Sequence, residues 1–111
     1  LIFVTNYPWS KRPFYHVKNG DGTKGFDLLL RGVEIATGSL REHNYDILKK
    51  QAEEKDVKLD DMKDYAVMFK CGAPPHGGCG LGMERITQNL LGLDNIREAC
   101  FVPRDPDRLT P

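Results

Sequence analysis

No apolar run in this sequence approaches the roughly 20 residues that cross a bilayer as a helix. No basic amphipathic leader opens it either, so a membrane role is not expected and a cytoplasmic location is. Excess charge of one sign is also missing: Lys plus Arg and Asp plus Glu number 16 each. A neutral chain has no global field to hold a nucleic acid, and any RNA contact must be local or made by regions outside these residues. Cysteine is scarce and odd in number, with Cys71, Cys79 and Cys100 only, which fits a reducing interior better than a disulfide scaffold. Internal repeats and low-complexity tracts are absent. With 111 residues, 40% of them hydrophobic, the chain suffices for one ordinary core and not for two. The expectation is one domain or a piece of one. Leu1-Ile2-Phe3-Val4 starts abruptly inside an apolar run without Met, which reads as the middle of a strand in an excised fragment.

What is present alternates between strand and helix character. Residues 1–6 and 13–18 are β-branched and aromatic, with Tyr7-Pro8-Trp9-Ser10 punctuating between them, and read as two strands. Asn19-Gly20-Asp21-Gly22 combines two turn dipeptides ahead of a third run over 26–31, so it is placed to close a hairpin. Gly32-Val33-Glu34-Ile35-Ala36-Thr37-Gly38 supplies a fourth strand, in which Glu34 is predicted to share a face with Ala36 and Gly32. Over 44–56 the period changes: Asn44 can cap, and Ile47, Leu48 and Ala52 fall at helical spacing. A second helix follows from Asp60 or Asp61, with Met62, Tyr65, Ala66 and Phe69 on one stripe, and stops before Gly72 and Pro74-Pro75. Residues 44–70 thus read as a helical insertion between strands. Beyond it come a glycine-rich strand, a helix carrying Met83, Ile86, Leu90 and Leu91 and stopped by Gly92, and a short helical signal at Asp94 to Glu98. The predicted class is α+β, a mostly antiparallel sheet with helices on one side.

Gly78-Cys79-Gly80-Leu81-Gly82-Met83-Glu84-Arg85 is the most informative segment. Glycine at every second position clears one face of a strand, so that a flat ligand or a phosphate chain can lie on bare backbone. It is neither the dinucleotide fingerprint nor a P-loop. An arginine at the strand-to-helix junction can stack on a base or meet phosphate oxygens; equally, the glycines can serve close strand packing while Arg85 pairs with an acid.

The Gly-x-Gly-x-Gly-x-Glu-Arg run resembles motif 3 of the class II aminoacyl-tRNA synthetases, here over 78–91. The continuation from Leu90 through Phe101, Pro103-Arg104-Asp105-Pro106 and Leu109 resembles the ending of aspartyl and asparaginyl enzymes. Upstream, Asn6-Tyr7-Pro8-Trp9, Arg12-Pro13-Phe14-Tyr15, Phe26-Asp27-Leu28 and the run from Gly32 to His43 follow the same pattern in the same order, so the likeness spans essentially residues 1–111. The resemblance implies that Glu34 binds magnesium and ATP. It implies that Thr37, where the family usually has Ser, is a second magnesium and substrate contact, and both offer hard oxygen ligands. Arg41 then receives the side-chain carboxylate of a substrate L-aspartate, Arg85 lies on the ATP, and Gly82, Met83 and Glu84 add backbone and packing around the nucleotide. The implied reaction is attack of the aspartate α-carboxylate on the α-phosphorus of ATP, then transfer of the aspartyl group to tRNA. Motifs 1 and 2, the homodimer interface and the anticodon-binding barrel are expected before Leu1, which leaves the isolated piece inactive.

Several alternatives stay open at this point. Arg41 can instead form a surface salt bridge with Glu42 or a helix acid. Asp27 can support the metal or the substrate ammonium, or be a strand-end aspartate; His76 can approach the substrate or bond to backbone. Cys71, His76 and Cys79 lack a fourth zinc ligand and fit no usual finger spacing. The arrangement of Gly32 to Gly38 favours aspartate over asparagine. An asparaginyl-tRNA synthetase and a tRNA-independent paralogue such as an asparagine synthetase are the competing readings.

Overall fold

The computed structural model describes residues 1–110. Strands β1 (Ile2–Thr5), β4 (Gly25–Leu30), β5 (Val33–Arg41) and β6 (His76–Leu81) form one sheet in the order β1-β4-β5-β6, while β2 (Lys18–Asn19) and β3 (Gly22–Thr23) form a separate ribbon. Every pairing is antiparallel. Helices α1 (Tyr45–Glu53) and α2 (Lys63–Lys70) lie between β5 and β6, and α3 (Met83–Leu91) follows β6. The α+β class is as expected from the sequence.

The β4–β5 hairpin turns on two residues. Leu30 pairs with Val33, leaving Arg31 and Gly32 at φ 51° and 85°, the two positive values that a tight primed turn requires. Arg31 adopts this left-handed conformation without a glycine's freedom, and its guanidinium donates to the Asn89 carbonyl at 3.0 Å, tying the turn to α3. Gly92, at φ 67°, ends α3 in the left-handed conformation.

The β4–β5 register is interrupted: Leu28 opposes Ala36, yet Leu29 opposes Glu34, so Ile35 is an extra residue on β5. This bulge corrects the predicted alternation. Ile35 and Ala36 are buried in succession, Glu34 does not share a face with Ala36, and Gly32 belongs to the turn. Opposed residues in an antiparallel pair point to the same side, and Glu34 and Thr37 oppose Leu29 and Asp27, two residues apart. The bulge therefore brings Glu34 and Thr37, three apart in sequence, onto one face.

The core lies beneath the helical insertion, where Phe14, Leu48, Ala52, Leu59, Ala66 and Phe69 pack together. Asn44 caps α1 through its side-chain oxygen, which accepts from the backbone N–H of Asp46 and Ile47 at 3.0 and 3.1 Å. Two expectations need correction here. The buried stripe of α1 is Leu48, Gln51 and Ala52, while Ile47 is 47% exposed. Gln51 takes that place because its amide donates to the carbonyls of Phe14 and His16 at 2.5 and 3.1 Å. For the same reason residues 13–18 are not a strand of the sheet. Trp9–Lys11 forms a single 3-10 turn, Phe14 is drawn into the helical core, and only the segment from Tyr15 to Val17 runs beside the end of β5. There Glu42 N–H donates to the Tyr15 carbonyl at 2.9 Å and Val17 N–H to the Leu40 carbonyl at 3.1 Å.

The apolar stripe expected on α3 is largely exposed: Met83, Leu90 and Leu91 stand open, as do Ile2 and Phe3 of β1. A contrast between adjacent residues tests the α1 assignment. Leu48→Ala is expected to cost about 2–5 kcal/mol and Ile47→Ala under about 1 kcal/mol, read as shifts in the urea midpoint.

Candidate active site

The two faces of the sheet differ in chemistry. Following the register, one face carries Asp27 on β4, Glu34, Thr37, Ser39 and Arg41 on β5, and His76, Gly78 and Gly80 on β6. The opposite face carries Phe3, Phe26, Leu28, Ala36 and Leu81, with the Phe3 and Phe26 rings edge to face at 5.7 Å. Asp27, Glu34 and Arg41 thus share one face, next to the apolar Val4 and Leu29, while Thr5 lies on the other. A side chain at Gly78 or Gly80 would meet nothing within 4 Å, so the polar face has two bare, open positions beside Thr37 and Ser39. The sequence reading placed Gly82 with them, but Gly82 lies past the strand, where its N–H donates to the Ile35 carbonyl at 2.9 Å and its carbonyl receives the N–H of Ile86.

At the centre of this face Asp27 is buried against Arg12, with Nη2 2.7 Å from Oδ2, and the Thr37 hydroxyl donates to Oδ1 at 2.6 Å. Arg12 also reaches Thr37 Oγ1 at 3.4 Å and lies 3.8 Å over the Tyr7 ring. Burial alone would raise the Asp27 pKa. Hydrogen bonds from Arg12, Thr37 and Tyr7, with the Arg12 charge, outweigh burial and hold the carboxyl below its ordinary value. Asp27 is accordingly an ionised, fully engaged anchor. Thr37 donates its proton to that anchor while its oxygen accepts from Arg12.

Glu34 and Arg85 meet at one end. Arg85 Nη1 donates to the Glu34 carbonyl at 2.9 Å and lies 3.3 Å from Oε1. Both side chains are almost half exposed, so the pair contributes little stability. Arg85 thus pairs with an acid, the alternative left open by the sequence, at the end of the face next to β6. Gly82, Glu84 and Arg85 also border a cleft of about 290 Å³ together with Arg97 and Arg104. Met83 is exposed at the first residue of α3.

Arg41 occupies the other end. It makes no ion pair among the described residues, and Glu42 instead accepts from the backbone N–H of His43 and Asn44. The guanidinium lies 4.6 Å over the Tyr15 ring, on a cleft of about 330 Å³ that also contacts Phe14, Tyr65 and His76. His76 Nδ1 is 2.9 Å from the Pro74 carbonyl, the backbone-bonded alternative.

No group of three or more His, Cys, Asp or Glu that could hold a metal occurs among the described residues. A magnesium ion fits this face on other terms, because it binds through one or two carboxylates completed by waters and substrate phosphates, and Glu34 offers one accessible carboxylate. Sequence reasoning missed Arg12 and His16. Arg12 stood in a matched string without a role, and nothing local marked His16, which is 4% exposed with Nδ1 unpartnered. Burial, then the charges of Arg41 and Arg12, lowers its pKa to about 4, so it is neutral at pH 7.

A family model described as class II tRNA synthetases (D, K and N) matches residues 1–106. The chain is 48% identical over 114 residues to an aspartate–tRNA(Asp/Asn) ligase from Aeropyrum pernix, covering 100% of this chain and 26% of that protein. An aspartate–tRNA(Asp) ligase from Thermoplasma volcanium is 47% identical, with 100% and 27% covered. Among solved structures, a putative aspartyl-tRNA synthetase from Leishmania major superposes with a TM-score of 0.92 at 41% identity, covering 98% of this chain and 22% of that one. An asparaginyl-tRNA synthetase from Pyrococcus horikoshii gives 0.88 at 37% identity, covering 98% and 27%. The chain therefore spans about a quarter of the length of the curated relatives it matches.

Because His16 is neutral when folded, the unfolded state takes up its proton first as pH falls. Stability is full above the ordinary histidine value near 6.5 and declines toward pH 4. His16→Gln is expected to flatten that part of the pH profile of the urea midpoint.

Proposed function

The chain belongs to the class II tRNA synthetases (D, K and N), and from that premise we propose that residues 1–111 are the C-terminal portion of the catalytic domain of an aspartate–tRNA ligase. The observation that carries this reading is Arg41, a guanidinium without an ion-pair partner among the described residues, on the same sheet face as Glu34 and the bare glycines. A fixed guanidinium fork suits a carboxylate better than a carboxamide, which favours aspartate over asparagine, although asparaginyl enzymes share the fold.

In this reading ATP lies along Gly78 and Gly80 toward Arg85, with Gly82, Met83 and Glu84 around the nucleotide. Magnesium, held by Glu34 with Thr37 as a second oxygen contact, supplies charge neutralisation at the phosphates. Arg85 leaves Glu34 to meet phosphate oxygens or the base, and Arg41 grips the aspartate side chain. Asp27 and Arg12 keep Thr37 in place. The chain's own residues position and neutralise, and no general base is required, since the α-carboxylate of aspartate is itself the nucleophile. In the complete protein the same active site passes the aspartyl group to tRNA. The homodimer interface and the remaining phosphate contacts lie N-terminal to these residues, and the enzyme works in the cytoplasm. The exposed apolar residues of β1 and α3 are the surfaces on which the rest of the domain packs.

Arg41→Leu in the complete protein tests the amino-acid assignment. Aspartate-dependent ATP–pyrophosphate exchange is expected to lose about 30-fold or more in kcat/KM for aspartate while ATP binding is retained; an unchanged value removes the assignment. Asparagine in place of aspartate separates the competing amide reading. The isolated residues 1–111 are expected to give no exchange.

A further inference from the structure

An arginine meant to receive a carboxylate needs a fixed orientation and an unspent charge. An acidic partner would give the first and remove the second. Arg12 and Arg85 are held in that way, by Asp27 and Glu34, whereas Arg41 is held by an aromatic face. Its guanidinium carbon is 4.6 Å from the centre of the Tyr15 ring, within the range of a cation–π contact, and the in-plane N–H donors stay available. We propose that Tyr15 is a positioning residue for Arg41, and through it a determinant of affinity for the amino-acid side chain. This rests on the reading of Arg41 given above.

The platform is itself fixed at both levels of structure. Its backbone carbonyl receives the N–H of Glu42 at 2.9 Å, next in sequence to Arg41. Its ring meets Phe14 edge on at 5.5 Å, and from there aromatic contacts continue through Tyr65 at 6.3 Å, Phe69 at 4.9 Å and His76 at 6.1 Å. His76 is the cross-strand partner of Arg41, so the string ends on the strand beside Arg41, and Phe14, Tyr15, Tyr65 and His76 line the cleft next to the guanidinium. Phe14 and Phe69 belong to the core of the helical insertion, whose packing thereby sets the tilt of the Tyr15 ring.

The test is steady-state ATP–pyrophosphate exchange by the complete protein, with L-aspartate and ATP varied separately. Tyr15→Phe keeps the π face and is expected to stay within about twofold of the parent. Tyr15→Leu removes it and is expected to raise KM for aspartate about threefold to thirtyfold, the range such a contact carries, with kcat and KM for ATP within twofold. Should Tyr15→Leu yield no folded protein, Tyr15→Met, which fills the space without a ring, carries the same expectation. In an Arg41→Leu background Tyr15→Leu is expected to add nothing to KM for aspartate. Unchanged KM for aspartate in the Leu or Met variant, or equal losses for both substrates, overturns the role of Tyr15. If Arg41→Leu itself leaves aspartate kinetics intact, the failure lies in the amino-acid assignment.

Discussion

The ion pair between Arg12 and Asp27 is the contact from which the polar face is organised. Asp27 sits inside the sheet, flanked by Val4 on β1 and Thr37 on β5, where an unpartnered carboxylate would be costly. Arg12 satisfies it at 2.7 Å and in doing so draws the loop after β1 across the sheet. Pro13 and Phe14 must then leave in the direction of the helices, which puts Phe14 in the core and Tyr15 and His16 beside the last residues of β5. Removing one partner of such a buried pair costs several kcal/mol, because the other charge is left behind. Here the damage would reach Thr37, Tyr7 and the strand end that carries Arg41.

The bulge at Ile35 is the second constraint, and it acts on the other end of the face. Without the extra residue Glu34 and Thr37 would point to opposite sides, as simple alternation requires. With it, both join Asp27 on the polar face, and the carbonyls of Glu34 and Ile35 turn outward to receive Arg85 and Gly82. One irregularity in β5 thus sets both the direction of an acidic side chain and the point where α3 begins.

These two devices mark the boundary of what the sequence makes legible. Strand and helix periods placed β1, β4, β5 and all three helices, and Asn44, Gly72 and Gly92 marked ends of elements, because each signal is local and repeats within a few residues. Alternating glycine likewise identified the bare strand. The bulge left no such trace, since Val33 to Thr37 reads as a regular strand until its partner's register is known. Residues 13–18 have strand-like composition, yet their backbone bonds go to Gln51 and to the end of β5. That outcome depends on an amide 35 and 37 residues away, which no local pattern contains. Ile47 misled for a related reason: a buried glutamine with two carbonyl partners displaced it from the inner stripe. For the candidate site, Glu34, Thr37, Arg41 and Arg85 were singled out by motif, and the residues packed or bonded against that face, Arg12, Tyr15 and His16, were not. Support roles depend on tertiary contacts across the fold.

Arg12, Arg85 and Arg41 are each held in a different way, which leaves each with a different share of its charge. Arg12, with a side chain 12% exposed and a buried carboxylate, has its charge cancelled and acts as structure. Arg85 shares an accessible carboxylate and a carbonyl, so its charge is only partly offset and stays open to solvent. Arg41 keeps its charge, because a ring orients a cation without neutralising it. His16 is neutral first because it is buried, and the nearby charges of Arg41 and then Arg12 add to that effect. A face arranged in this way carries, among the described residues, a guanidinium with no ion-pair partner at Arg41 and a solvent-open ion pair, Glu34 with Arg85, at the opposite end of β5. The spacing between the two is set by the strand itself.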